Sequence, residues 1–113
     1  MVAPSAVSPA LLATLFRGLA DPARLSCLLA LREHPRTVGE IVEETGLSQP
    51  NVSKHLACLR DCGLVRSDRA GRFVISQLAN PEVCNVLCAA EAVLEQGGDA
   101  IAACPNYREE TQP

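Results

Sequence analysis

The sequence has 113 residues, a formal net charge of −3, six cysteines, two Phe, one Tyr and no Trp. That length fits one compact domain, and a lone domain of this size buries only a modest share of its surface, so a dimer would enlarge the core. No run of about 18 apolar residues occurs, which argues against a membrane span. The opening MVAPSAVSPALLATLFRGLA is apolar but has no basic leader and is interrupted by Arg17, so it reads as structure and not as a signal peptide. The expected compartment is therefore the cytoplasm, where six thiols point to metal or redox chemistry more than to disulfides.

The net charge conceals a division. Residues 49–72 carry Lys54, Arg60, Arg66, Arg69 and Arg72 against Asp61 and Asp68, a balance of +3, whereas residues 73–113 carry Arg108 against six acids, a balance of −5. A basic segment on an acidic body can still steer toward phosphates.

In chain order, residues 1–8 are expected to form a flexible arm. A helix from Pro9 to about Ala20 places Leu11, Leu12, Leu15, Phe16 and Leu19 on one stripe. Asp21-Pro22 restarts the chain as N-cap and first helical residue, and the second helix, apolar nearly all round, runs to about Arg32. Thr37 and Glu40 form a capping box for a short helix stopped at Gly46. Ser48 caps the next helix, which runs to about Cys62 with Gly63 beyond it. Two short helices about a glycine turn make a helix-turn-helix pattern. LVRSDRAGRFVISQL reads as a hairpin with a basic tip at Arg69-Ala70-Gly71-Arg72. Asn80-Pro81 opens a last long helix to about Gln96, with Val83, Leu87, Ala90 and Leu94 as its core stripe. Gly97-Gly98 breaks it, and a short helix follows toward Cys104. The expected fold is mainly α with a β-hairpin wing, a winged helix-turn-helix over residues 9–96, followed by a C-terminal segment at 97–113.

At about 100° per residue, the 49–62 helix turns Val52, Leu56 and Leu59 to one face and Asn51, His55, Cys58 and Cys62 to another, with Lys54 beside them. A helix entering a major groove reads bases mainly from its N-terminal part. Gln49, Asn51, Ser53, Lys54 and His55 offer amides for adenine edges and cations for guanine or phosphate. Ser48 marks a helix end whose free N–H groups suit a phosphate. Arg69 and Arg72 at the hairpin tip suit backbone or minor-groove contact. The competing interpretation is a solvated polar face on a protein-interaction domain. No phosphate loop or nucleophile elbow is visible, and Ser53 and His55 point differently on one helix, so neither an enzyme nor an organic cofactor is expected.

Cys58 and Cys62 stand one helical turn apart, so both sulfurs can reach one ion, and sulfur donors select mercury, cadmium, lead and trivalent arsenic, with zinc as competitor. The alternative is that they are small apolar fillers. Cys84 and Cys88 repeat the spacing off the last helix's core stripe, which suits either a second metal site or burial in a dimer interface. Cys27, in the apolar second helix, is either core or a contributor to that second site. His34 reads as exposed and inert.

LADPARL (19–25), TVGEIVEETGLSQPNVSKHLACLRDCGLV (37–65) and the hairpin with Gly71-Arg72 together resemble the ArsR/SmtB family of metal-responsive bacterial repressors over roughly residues 9–95. The resemblance implies a homodimeric winged helix that holds double-stranded operator DNA without metal and releases it with metal. The family's usual ligand positions do not match, since residues 37–48 hold no Cys and residues 80–96 no His. HLACLRDCGLV instead resembles the cadmium/lead-responsive mycobacterial branch, with thiolates on the recognition helix. A mercury-responsive actinobacterial branch is equally close. The first of these implies Cys104 as third ligand, within the chain or across the dimer. The effector expected is a thiophilic divalent ion. A thiol redox repressor of the same fold is the alternative, and it would need cross-chain pairing, because bridging i,i+4 helical cysteines demands distortion.

Overall fold

Side-chain caps and prolines set where the helices begin. In the computed structural model, which describes residues 7–106, the order is α1 (Pro9–Leu19), α2 (Pro22–Ala30), β1 (Arg36–Thr37), α3 (Val38–Thr45), α4 (Gln49–Asp61), β2 (Val65–Ala70), β3 (Phe73–Leu78) and α5 (Pro81–Ala103). Ser8, Asp21, Ser48 and Asn80 each accept a hydrogen bond from the backbone N–H three residues on, at 3.1, 2.8, 3.3 and 3.2 Å. Each is followed by a proline in the first turn. The cap satisfies an otherwise orphaned donor, and proline costs nothing where no helical partner exists for its missing N–H. α3 starts on the expected capping box, with Thr37 and Glu40 exchanging hydrogen bonds at 2.8 and 3.2 Å. Residues 1–6 of the expected arm and 107–113 of the C-terminal segment lie outside the described residues.

The chain divides into two units, one running through Ala79 and one from Asn80 onward. The first is built on α2, α3 and α4. Leu28, Ile41, Val52, Leu56 and Leu59 from these helices are at most 1% exposed and form its core.

The sheet has the order β1-β3-β2, all antiparallel. Arg36 pairs with Ser76 and Thr37 with Ile75, a third strand that the sequence reading did not contain. The wing turn is tighter than expected. Ala70 pairs directly with Phe73, leaving only Gly71 and Arg72 in the loop. Gly71 has φ 65° while no non-glycine residue among those described has positive φ, the pattern of a two-residue hairpin turn with glycine first.

The second unit is α5, whose helical geometry fails at Gly97 (φ −142°, ψ 22°) before resuming to Ala103. The expected break is thus a kink. Of its expected core stripe, Val83 and Leu87 are buried, but Ala90 and Leu94 are exposed, along with Val93 and Ile101. On α1 the stripe is likewise open, with Leu11, Leu12 and Phe16 exposed.

Cys27 is fully buried, and burial first, then the charge of Asp21, pushes its thiol above the ordinary value of 9.0. The unfolded chain therefore loses this proton at lower pH than the folded one and binds fewer protons above pH 9. Stability must fall as pH rises through that range. Denaturation midpoints followed from pH 8 to 10.5 are expected to fall more steeply in the native protein than in Cys27→Ala; parallel slopes would show that this thiol contributes nothing.

Candidate nucleic-acid interface and metal centre

α4 is held from below by Val52, Leu56 and Leu59, all buried. The opposite side of its first two turns stays open: Ser48, Gln49, Ser53 and Lys54 are exposed and Asn51 is half-buried. Ser48 closes on the Asn51 N–H, so the helix start is defined while its outer residues remain accessible. Arg69 and Arg72 are exposed on the wing. The wing is tied to the far end of α4 through Arg60, whose guanidinium donates to Ser67 Oγ at 3.4 Å; Ser67 in turn bonds the buried Ser76 Oγ at 2.9 Å.

His55 departs from the expectation. It is buried, and its Nε2 lies 3.8 Å from Asp21 Oδ2, the atom that also caps α2. It joins α4 to the start of α2 and offers no open edge to a base.

The end of α4 is a Schellman closure. The Gly63 N–H donates to the Arg60 carbonyl and the Leu64 N–H to the Leu59 carbonyl, each at 3.0 Å. Gly63 has φ 79°, the left-handed conformation that this closure requires and that glycine adopts without strain. Cys62 is the cap residue and Cys58 lies one turn earlier. Both are exposed thiols, one helical turn apart on α4 and its cap. They stand at the carbonyl end of a helix, where the backbone dipoles favour a cation.

Arg24 of α2 completes the local arrangement. Its Nε donates to the Gly18 carbonyl at 2.6 Å and its Nη1 reaches Cys58 Sγ at 4.0 Å. Desolvation first, then the Cys58 thiol and Asp61, push the Cys62 thiol up, while Arg24 pulls it down. Sequence reasoning did not assign Arg24 to the site. Its only signal was its place in LADPARL, and its partner thiol lies 34 residues away.

The two thiols are donors of the right softness, accessible and one helical turn apart, which fits a thiophilic ion. Among the described residues, no group of three or more His, Cys, Asp or Glu stands together to hold a metal within one chain. Cys104, half-buried, caps the end of α5. On the same helix Cys84 is half-buried and Cys88 exposed. Cys27, sealed in the core of the first unit, presents no surface to an ion.

A capped helix, a glycine turn, a second helix with an open polar start and an arginine-tipped hairpin define a winged helix-turn-helix. The sequence model described as "Bacterial regulatory protein, arsR family" matches residues 21–67. The "Probable mercury resistance operon repressor" of Streptomyces lividans is 39% identical over 92 residues, covering 81% of this chain and 74% of that one. The "HTH-type transcriptional regulator CmtR" of Mycobacterium bovis is 43% identical over 76 residues, covering 67% of this chain and 64% of that one, so the match spans just under two thirds of that relative. Among solved structures, the homodimeric winged helix-turn-helix DNA-binding domain Mb0332 from Mycobacterium bovis superimposes with a TM-score of 0.69 at 25% identity, covering 83% of this chain and 93% of that one. The chain belongs to the ArsR family. It is a DNA-binding transcriptional regulator and not an enzyme. No helix among the described residues is long and apolar enough to cross a membrane.

Proposed function

We propose that this chain is a cytoplasmic repressor that holds double-stranded operator DNA as a homodimer. It lets go when Cys58 and Cys62, joined by Cys104, capture a thiophilic divalent ion, namely mercury, cadmium or lead. The observation that carries this reading is the exposed thiol pair at one end of α4, the helix whose other end carries the open polar residues. The resistance operon named for the Streptomyces relative supports it.

The physical logic follows from the rigidity of α4. Ser48, Gln49, Asn51, Ser53 and Lys54 engage the major groove, while Arg69 and Arg72 hold the flanking backbone. When bound, the ion supplies metal–sulfur bonds that hold Cys58 and Cys62 to a third thiolate. Cys58 and Cys62 transmit that constraint along the rod to the reading residues. The two reading helices of a dimer must meet half-sites about 34 Å apart, so a small tilt loses contacts in both halves. A coupling of about 2–3 kcal/mol is enough to lower operator occupancy strongly. The open apolar residues of α1 (Leu11, Leu12, Phe16) and of α5 (Val93, Leu94, Ile101) supply surface that pairing of two copies would cover. Cys84 and Cys88 remain candidates for a second ion.

Removing Arg69 or Arg72 is expected to weaken binding to all duplexes alike and to reduce the slope of log affinity against log salt by about 1 per arginine. An unchanged slope would place the wing off the DNA.

The decisive experiment uses reduced protein on a duplex that the protein itself selects from a random-sequence pool. Mercury, cadmium, lead, arsenite and zinc are titrated in parallel while thiolate-to-metal absorption is followed. Release in step with absorption by one of the first three ions supports the reading. DNA retained at full metal loading would overturn it, and release by peroxide in metal-free buffer would favour a redox repressor instead.

A further inference from the structure

The position of Arg24 raises a physical question about the thiol pair. A guanidinium beside a site that must receive a cation opposes filling, unless the filled site carries net negative charge. Arg24 is not there by chance of rotamer, because its Nε is anchored on the Gly18 carbonyl at the end of α1 and its backbone N–H on the Asp21 cap. That leaves Nη1 directed at Cys58 Sγ, at 4.0 Å.

We propose that Arg24 is a positioning residue that sets ion selectivity at the Cys58–Cys62 pair, favouring divalent ions held by three thiolates over trivalent arsenic held by the same three. This rests on the three-thiolate reading above. The charge balance decides the sign. When three thiols take up a divalent ion, three S–H bonds break, three metal–sulfur bonds form and three protons leave to buffer, so the complex carries −1. When they take up arsenous acid, three As–O bonds are exchanged for three As–S bonds and three waters leave, so the complex is neutral. Neither step changes an oxidation state. A fixed guanidinium attracts the first product and is indifferent to the second.

The test compares Arg24→Gln with the native protein and with Arg24→Lys, titrating cadmium chloride and sodium arsenite separately and reading ligand-to-metal absorption without DNA. Arg24→Gln is expected to lower cadmium affinity about tenfold, the scale of a unit-charge interaction at this separation in a partly solvated site. Arsenite affinity should stay within about twofold of native, because the arsenite complex has no charge for the guanidinium to meet. Arg24→Lys should recover most of the cadmium affinity. A merely structural Arg24 would reduce both ions alike, and that result, or no loss for either, overturns the proposal.

If Arg24→Gln fails to fold, raising perchlorate concentration on the native protein gives the same answer. Screening should weaken cadmium and spare arsenite, and equal salt dependence sinks the idea. Cys58→Ser and Cys104→Ser separate the two failures. If neither reduces cadmium binding, the three-thiolate reading itself is wrong; if both do while Arg24→Gln is not ion-selective, only this inference falls.

Discussion

Leu56→Ala is expected to lower the stability of the fold by about 3 kcal/mol, the middle of the range for truncating a sealed leucine. Leu56 is 1% exposed and lies in the core face of α4 with Val52 and Leu59, against a unit that also seals Leu28 and Ile41. A leucine-to-alanine change there removes apolar contact on every side and leaves a void that a helix fixed at both ends cannot collapse into. Ser48 fixes one end and the Gly63 closure the other. For a domain of this size, the loss corresponds to a fall in thermal midpoint of roughly 15 °C. Lys54→Ala, on the exposed side of the same helix, is expected to change stability by no more than about 0.5 kcal/mol. Equal midpoints for Leu56→Ala and the native protein would mean that α4 is not seated on this core. The contrast also bears on function, since a helix that rattles in its seat cannot present Asn51, Ser53 and Lys54 to a groove in one orientation.

What the sequence disclosed and what it hid follow from how far each signal reaches along the chain. The starts of the helices were legible because caps act over three residues; Ser48, Asp21, Asn80 and the Thr37–Glu40 box are where the residues placed them. The wing was legible from its glycine and flanking β-formers. β1 was not, because two residues after Pro35 carry no alternation to read; Arg36 and Thr37 become a strand only because β3, forty residues on, offers an edge.

His55 shows the limit of a helical wheel. About 100° per residue puts it roughly 40° from Asn51 and 40° from Leu59, on the border between the two faces. The start of α2 reaches across that border and buries it against Asp21, which no periodicity in α4 could announce. Arg24 was missed for the same reason. Cys58 and Cys62, by contrast, are neighbours through helix geometry alone, so their spacing was enough to bring them to one face.

Cys58→Ser is expected to leave DNA affinity within about twofold and to abolish release by the thiophilic ion, a change of at least about 100-fold in the concentration of ion needed, equivalent to about 3 kcal/mol. The two halves of this outcome have separate causes. Cys58 is exposed and packs no core, so serine, nearly the same size, disturbs neither the seat of α4 nor the Schellman closure beyond it. The reading residues from Gln49 to Lys54 lie a turn or more toward the other end. A hydroxyl, however, is a hard and weakly acidic donor that soft ions pass over in favour of thiolate, and Cys62 alone cannot fix an ion to α4 with any orientation. Cys62→Ser should behave in the same way. Cys104→Ser should keep partial ion binding through the remaining pair while losing the tether to α5, and so lose more in release than in binding. Measured together as anisotropy of labelled duplex and thiolate-to-metal absorption, these variants separate capture from transmission. Normal release by Cys58→Ser would move the sensing site off the reading helix altogether and turn attention to Cys84 and Cys88 on α5.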